Sequence, residues 1–170
     1  NEIILPHLNT ILVRNEFSEP IWYIIDNFHW RRFRAVFPII FAEKYNVPIK
    51  NMLPIATASE LIFAVALVQD DLIDEDEKRT DIKTAHMVFG VPRTVASFGY
   101  VGSYINKILA EIDKLNIKNE IQKCFIKSQK ELYESFILEK INKGNINFTK
   151  KDILDIYLKK TSTGINSLYC

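Results

Sequence analysis

The stretch that decides the fold runs from Pro54 to Asp74, PIATASELIFAVALVQDDLID. At 3.6 residues per turn, Leu61, Ile62, Val65, Ala66, Val68, Leu72 and Ile73 cover most of a helix surface. A surface helix would confine such residues to one stripe, so this circumference predicts a central helix buried by others. Working outward, Pro6, Pro20, Pro38, Pro48, Pro54 and Pro92 fall mostly near the edges of apolar runs, and only five glycines are present. Strand signals are almost absent. Between Ile117 and Lys143, the residues Ile121, Cys124, Phe125, Leu132, Phe136, Leu138 and Ile141 recur at helical spacing and predict a long amphipathic helix. Thr149 is placed to cap a further helix through Ile153, Ile156, Tyr157 and Lys160. No repeat, low-complexity linker or composition break marks a second domain, so one all-α helical bundle is expected.

The composition narrows the function. A chain of 170 residues, 48% hydrophobic and 25% charged, can bury a sizeable core, and a net charge of +1 excludes a general polyanion binder. No nucleic-acid partner is expected, and an anion site must be local. Only Cys124 and Cys170 are present, which supports neither a disulfide framework nor a structural zinc site and favours a reducing, cytoplasmic setting. The least charged stretch, Asn51 to Gln69, contains Glu60, and neither a membrane span nor a signal peptide is expected.

The chemistry sits at the end of the apolar helix, where Asp70, Asp71 and Asp74 are followed by Glu75, Asp76, Glu77, Lys78 and Arg79. Residues three and four apart share a helix face, so Asp70 and Asp71 project alongside Asp74, and three carboxylates are expected to converge. The macrodipole places partial negative charge at this end, so the cluster is destabilising unless cations offset it. Hard oxygen ligands favour magnesium, or manganese in its place, and magnesium completes its shell with water and substrate phosphate. A solvated acidic helix end is the ordinary alternative for any short DDxxD.

The segment ELIFAVALVQDDLIDEDEKRTDIKTAHMVFGVP, Glu60 to Pro92, resembles the first aspartate-rich region of trans-prenyl diphosphate synthases, especially geranylgeranyl diphosphate synthases of eukaryotes and archaea. RRFR at Arg31 to Arg34 resembles the family's basic element, and Lys160-Thr161 its later KT pair. The resemblance implies an all-α bundle of the isoprenoid synthase type, of which residues 1–170 form the N-terminal portion. It implies that Asp70 and Asp74 bridge magnesium to an allylic diphosphate, with Asp71 supporting them. Arg79, Lys160 and Thr161 would hold that diphosphate, with Lys160 catalytic beside the three aspartates, and Arg31, Arg32 and Arg34 would hold isopentenyl diphosphate. Val65 and Ala66, five and four residues before Asp70, would leave a deep chain-length pocket. The implied product is then longer than farnesyl, namely geranylgeranyl, with farnesyl as the alternative because Phe63, Phe98 and Tyr100 offer a floor elsewhere. His86 is read as a hydrogen-bonded structural residue.

Several positions depart from the family pattern. Phe63 stands where a histidine contacting isopentenyl diphosphate is usual, and Arg79 is followed by Thr80 in place of a second arginine. No second aspartate-rich motif follows Lys160, and Asp152 and Asp155 read as ordinary helix charges. The bundle is therefore expected to be incomplete in this chain and to expose a large apolar surface. A second polypeptide carrying the second motif is the favoured completion, a truncated piece of a longer product is the alternative, and pairing into a higher oligomer is left open. The rival readings are a non-catalytic subunit that tunes a synthase and a class I terpene cyclase-like protein.

Overall fold

The computed structural model describes residues 3–27, 33–112 and 118–162. In chain order the elements are α1 (Ile4–Ile11), α2 (Glu19–Asn27), α3 (Phe33–Lys44), α4 (Ile49–Asp74), β1 (Lys78–Arg79), β2 (Ile82–Lys83), α5 (Ala85–Phe89), α6 (Val91–Ala110), α7 (Lys118–Ile141) and α8 (Lys150–Tyr157). A π-helical turn, Leu158–Ser162, follows α8 directly. The all-α expectation holds, apart from the two-residue antiparallel ladder of β1 and β2. The chain divides into two compact units, Asn1–Lys118 and Asn119–Cys170.

In the first unit α4 is the axis, and α1, α2, α3 and α6 all pack on it. Its small residues Ala56, Ala58, Ala64 and Ala66 are buried together with Ile55, Leu61, Val65 and Val68, which lets neighbouring helices approach from several sides. By length and hydropathy α4 resembles a membrane span, yet 67% of its most apolar window is buried inside the protein, as befits a core helix. The helix starts at Ile49, ahead of the expected start near Pro54. The hydrogen bond that Pro54 cannot donate would have gone to the carbonyl of Lys50, an exposed residue, so water can satisfy it.

The end of α4 is set by Glu75, whose left-handed backbone (φ 62, ψ 31) turns the chain out of the helix. Asp76 N–H bonds back to Asp71 O at 2.9 Å and Glu75 N–H to Leu72 O at 3.3 Å, the paired bonds of a Schellman stop. The β1–β2 hairpin then doubles back, with Thr84 donating its hydroxyl to Asp76 O at 2.6 Å and Tyr23 of α2 donating to Lys83 O at 2.9 Å. The hairpin turns through Thr80 at φ 55, a conformation in which a β-branched side chain is strained.

The second unit is built on α7, which buries Ile121, Phe125, Leu132 and Phe136 as its pattern predicts. Thr149 caps α8 as expected, but Asp152 is more than a surface charge: it accepts from Thr149 N–H at 2.9 Å and completes a capping box. Exposed apolar residues remain, among them Ile126 (65%), Ile137 (53%), Leu154 (51%) and Tyr157 (63%). The expectation of reduced thiols is corrected, because Cys124 is disulfide-bonded.

Two measurements test these local readings. Thr80→Gly should relieve about 1 kcal/mol of left-handed strain and raise the melting temperature by roughly 2–4 °C in thermal unfolding; a fall would refute the strain. For α8, Thr149 holds the Asp152 carboxyl below its ordinary value of 3.8. A depressed carboxyl contributes stability above its unfolded value and loses it as pH falls through the folded one. Amide protection of the first turn of α8 should therefore be level above pH 3.8 and erode below it. Thr149→Ala should speed that exchange about fivefold at neutral pH.

Candidate functional site

The carboxylates of the last turn of α4 do not converge as a trio. Asp71 turns inward, with its side chain 1% exposed, while Asp70 and Asp74 lie half-exposed one turn apart along the same helix face. The inward turn follows from α4 being wrapped on most sides, so that one of two adjacent aspartates must enter the packed region. Among the described residues no group of three His, Cys, Asp or Glu side chains is gathered to hold a metal. Asp70 and Asp74 form a pair instead, which suits magnesium's habit of taking one or two carboxylates with water and phosphate oxygens.

The cation that offsets this acidic helix end is Arg79. The hairpin returns it to the end of α4, where its Nε donates to Asp71 Oδ1 at 2.7 Å and its Nη2 reaches the same oxygen and, at 3.6 Å, Asp70 Oδ2. Burial pushes the Asp71 carboxyl up, while the hydrogen bond and charge of Arg79 pull it down. Arg79 feels the reverse: burial lowers its pKa, but Asp71 and then Asp70 outweigh that and leave it raised. Asp71 Oδ2 is buried with no hydrogen-bond partner among the described residues. Asp71 thus anchors Arg79, a role that periodicity alone does not reveal.

The other expected site residues fall in separate places. Arg31 and Arg32 lie outside the described residues. Arg34, on α3, stacks over the ring of Phe63, with its Cζ 3.4 Å from the ring centroid. Val65 and Ala66 are buried in α4, at 5% and 7% exposure. Tyr100 accepts a hydrogen bond from Asn15 Nδ2 at 2.7 Å and packs its ring 5.5 Å from that of Phe17. His86 is half-buried, and its Nδ1 has no hydrogen-bond partner among the described residues.

Lys160 and Thr161 sit in the π-helical turn of the second unit. Lys160 Nζ donates to Glu139 Oε2 at 2.6 Å and lies 5.5 Å from the Phe136 ring centroid. Its neighbour Lys159 pairs with Glu134 at 3.2 Å. A π-turn inside a helix is uncommon and often marks a functional position, yet no sequence period announces it.

If Asp71 anchors Arg79, Asp71→Ala should destabilise the first unit by about 3 kcal/mol, since removing one partner strands the other's charge. Asp70→Ala, which removes the longer contact with Arg79, should cost less than about 1 kcal/mol. Equal effects in denaturant unfolding would contradict the assigned asymmetry.

Comparison with known proteins bears on this arrangement. The family model described as polyprenyl synthetase matches residues 14–170. A geranylgeranyl pyrophosphate synthase of Geoglobus acetivorans is 35% identical over 65 residues, 38% of this chain and 20% of that protein. A short chain isoprenyl diphosphate synthase of Methanocaldococcus jannaschii is 28% identical over 113 residues, 66% of this chain and 34% of that protein. Among solved structures, the geranylgeranyl pyrophosphate synthetase of Geoglobus acetivorans superposes with a TM-score of 0.83 at 21% identity, covering 98% of this chain and 56% of that one. A geranyltransferase from Legionella pneumophila gives 0.86 at 17% identity, with 99% and 62% coverage. At such identities the structural likeness establishes the fold, and the match spans only a fifth to a third of those two curated relatives.

Proposed function

Because this chain belongs to the polyprenyl synthetase family, we propose that it is a subunit of a magnesium-dependent trans-prenyl diphosphate synthase. In this reading it condenses isopentenyl diphosphate with an allylic diphosphate. The observation that carries the reading is the half-exposed Asp70–Asp74 pair at the end of a buried helix, with Arg79 held beside it by Asp71. Asp70 and Asp74 would hold the metal, which supplies Lewis-acid stabilisation of the departing diphosphate when bound.

The protein's own groups do the rest. Arg79, fixed by a buried carboxylate, presents permanent positive charge to the allylic diphosphate, so no reorganisation is needed as negative charge develops. Lys160 and Thr161 would take the same diphosphate, with Lys160 exchanging its exposed partner Glu139 for phosphate oxygens. Arg31, Arg32 and Arg34 would hold isopentenyl diphosphate. As the allylic C–O bond breaks, its electron pair leaves with the diphosphate. The isopentenyl double bond attacks the resulting allylic cation to form the new C–C bond, and loss of a proton restores a double bond. Apolar walls exclude water that would quench the cation. The small Val65 and Ala66 favour a geranylgeranyl over a farnesyl product.

A second polypeptide carrying the remaining helices and a second aspartate-rich motif would complete the bundle. Exposed Ile126, Ile137, Leu154 and Tyr157 support that reading, as does an open groove of about 930 Å³ in the second unit, lined by Ile126, Tyr133, Ile137 and Leu138.

The test is to incubate the purified chain with magnesium, farnesyl diphosphate and labelled isopentenyl diphosphate, alone and with co-purifying proteins, and to identify the extracted prenyl products. Elongation only with a co-purifying protein is expected, and Asp70→Ala or Asp74→Ala should lower it by about a hundredfold or more with assembly retained. Activity of the chain alone would remove the second polypeptide from the proposal. Unchanged turnover in the aspartate variants would make the chain a non-catalytic subunit.

A further inference from the structure

Arg34, Glu60 and Phe63 meet where α3 packs along α4. Glu60 and Phe63 are three residues apart on α4 and so project from one side of it. Glu60 is 5% exposed, and a carboxylate so placed is costly without nearby positive charge. Arg34 supplies it: burial draws the guanidinium down to about 10, the charge of Glu60 acts in the opposite direction, and Arg34 stays cationic at neutral pH. At 3.4 Å from the ring centroid, the guanidinium carbon is in face contact with Phe63. A guanidinium covered on its face keeps its N–H donors along the edge, and because the Arg34 Nε is buried here, its grip on phosphate falls to the terminal nitrogens.

The contact also removes motional freedom. An arginine side chain carries about 2 kcal/mol of rotamer entropy, which an unsupported Arg34 would surrender on binding an anion. A ring face that holds the guanidinium beforehand avoids that loss. Phenylalanine has no hydrogen-bonding group, so it can influence a diphosphate only through the arginine that it holds.

We propose that Phe63 is a positioning residue for the acceptor diphosphate: its ring, together with Glu60, holds Arg34 so that the guanidinium edge meets isopentenyl diphosphate in a fixed orientation. The inference rests on the reading of Arg34 as an acceptor-site residue. It makes the exchange of histidine for phenylalanine a replacement of a direct contact by an indirect one.

Ring fluorination separates this role from simple packing, because one to three fluorines at position 63 of the full chain largely keep the ring's shape while draining negative charge from its face. Calorimetric titration of the full chain, together with its co-purifying protein where elongation requires one, with isopentenyl diphosphate should show affinity falling stepwise with fluorine number, reaching a loss of about five- to tenfold. Phe63→Leu should lose a similar factor, and Phe63→Tyr should stay within about twofold of the original. Should Phe63→Leu fail to fold, the fluorinated series carries the test by itself. Affinity that ignores fluorination overturns the positioning role and leaves the acceptor reading of Arg34 intact. An original chain that does not bind isopentenyl diphosphate overturns that reading, and the inference falls with it.

Discussion

The structure around the candidate site depends on one constraint: a helix that ends in carboxylates must find positive charge, because its own dipole already makes that end negative. The chain meets it with Arg79, brought back by a hairpin only two residues deep and held on the buried carboxylate of Asp71. The Schellman stop at Glu75, the left-handed turn at Thr80 and the bond from Thr84 to Asp76 all serve that return. Two of these positions adopt strained backbone without glycine. Strain of this kind persists where surrounding contacts over-determine it, and here they fix the arginine.

The same arrangement divides the labour among three aspartates that look alike in sequence. Asp71 is spent on the interior, and Asp70 and Asp74 are left at the surface. Had all three faced outward, the helix end would carry three neighbouring negative charges with no fixed cation. With Asp71 inside, the outward pair is a modest cluster beside a permanent positive charge, suited to a cation and an anion arriving together.

Much of this was legible in the sequence. The apolar circumference of Pro54 to Asp74 identified the central helix, the spacing in α7 identified Ile121, Phe125, Leu132 and Phe136 as buried but also pointed to Ile141, which is exposed, and Thr149 identified a cap. The inward turn of Asp71 was not legible, because an apolar circumference removes the contrast that tells one face from another. The early start of α4 was hidden by Pro54, whose cost depends on whether Lys50 is exposed. The capping role of Asp152 was masked by the lysines around it, and the contact of Arg34 with Phe63 joins residues 29 positions apart, beyond any local period. Local periodicity found elements; pairings between elements needed coordinates.

The two cations assigned to the allylic diphosphate are held in different ways, and that difference has mechanistic content. Arg79 is bound to a carboxylate that is itself buried, so moving it would leave a charge stranded in the interior. Lys160 is bound to Glu139, whose side chain is 50% exposed, and a pair of that kind is worth at most about 1 kcal/mol. Phosphate oxygens would, under the proposed function, displace Glu139 from Lys160 at little cost, whereas Asp71 would stay on Arg79. Under the proposed function Arg79 is therefore a preset charge and Lys160 an exchangeable one, recruited when the anion arrives and returned to Glu139 when it leaves.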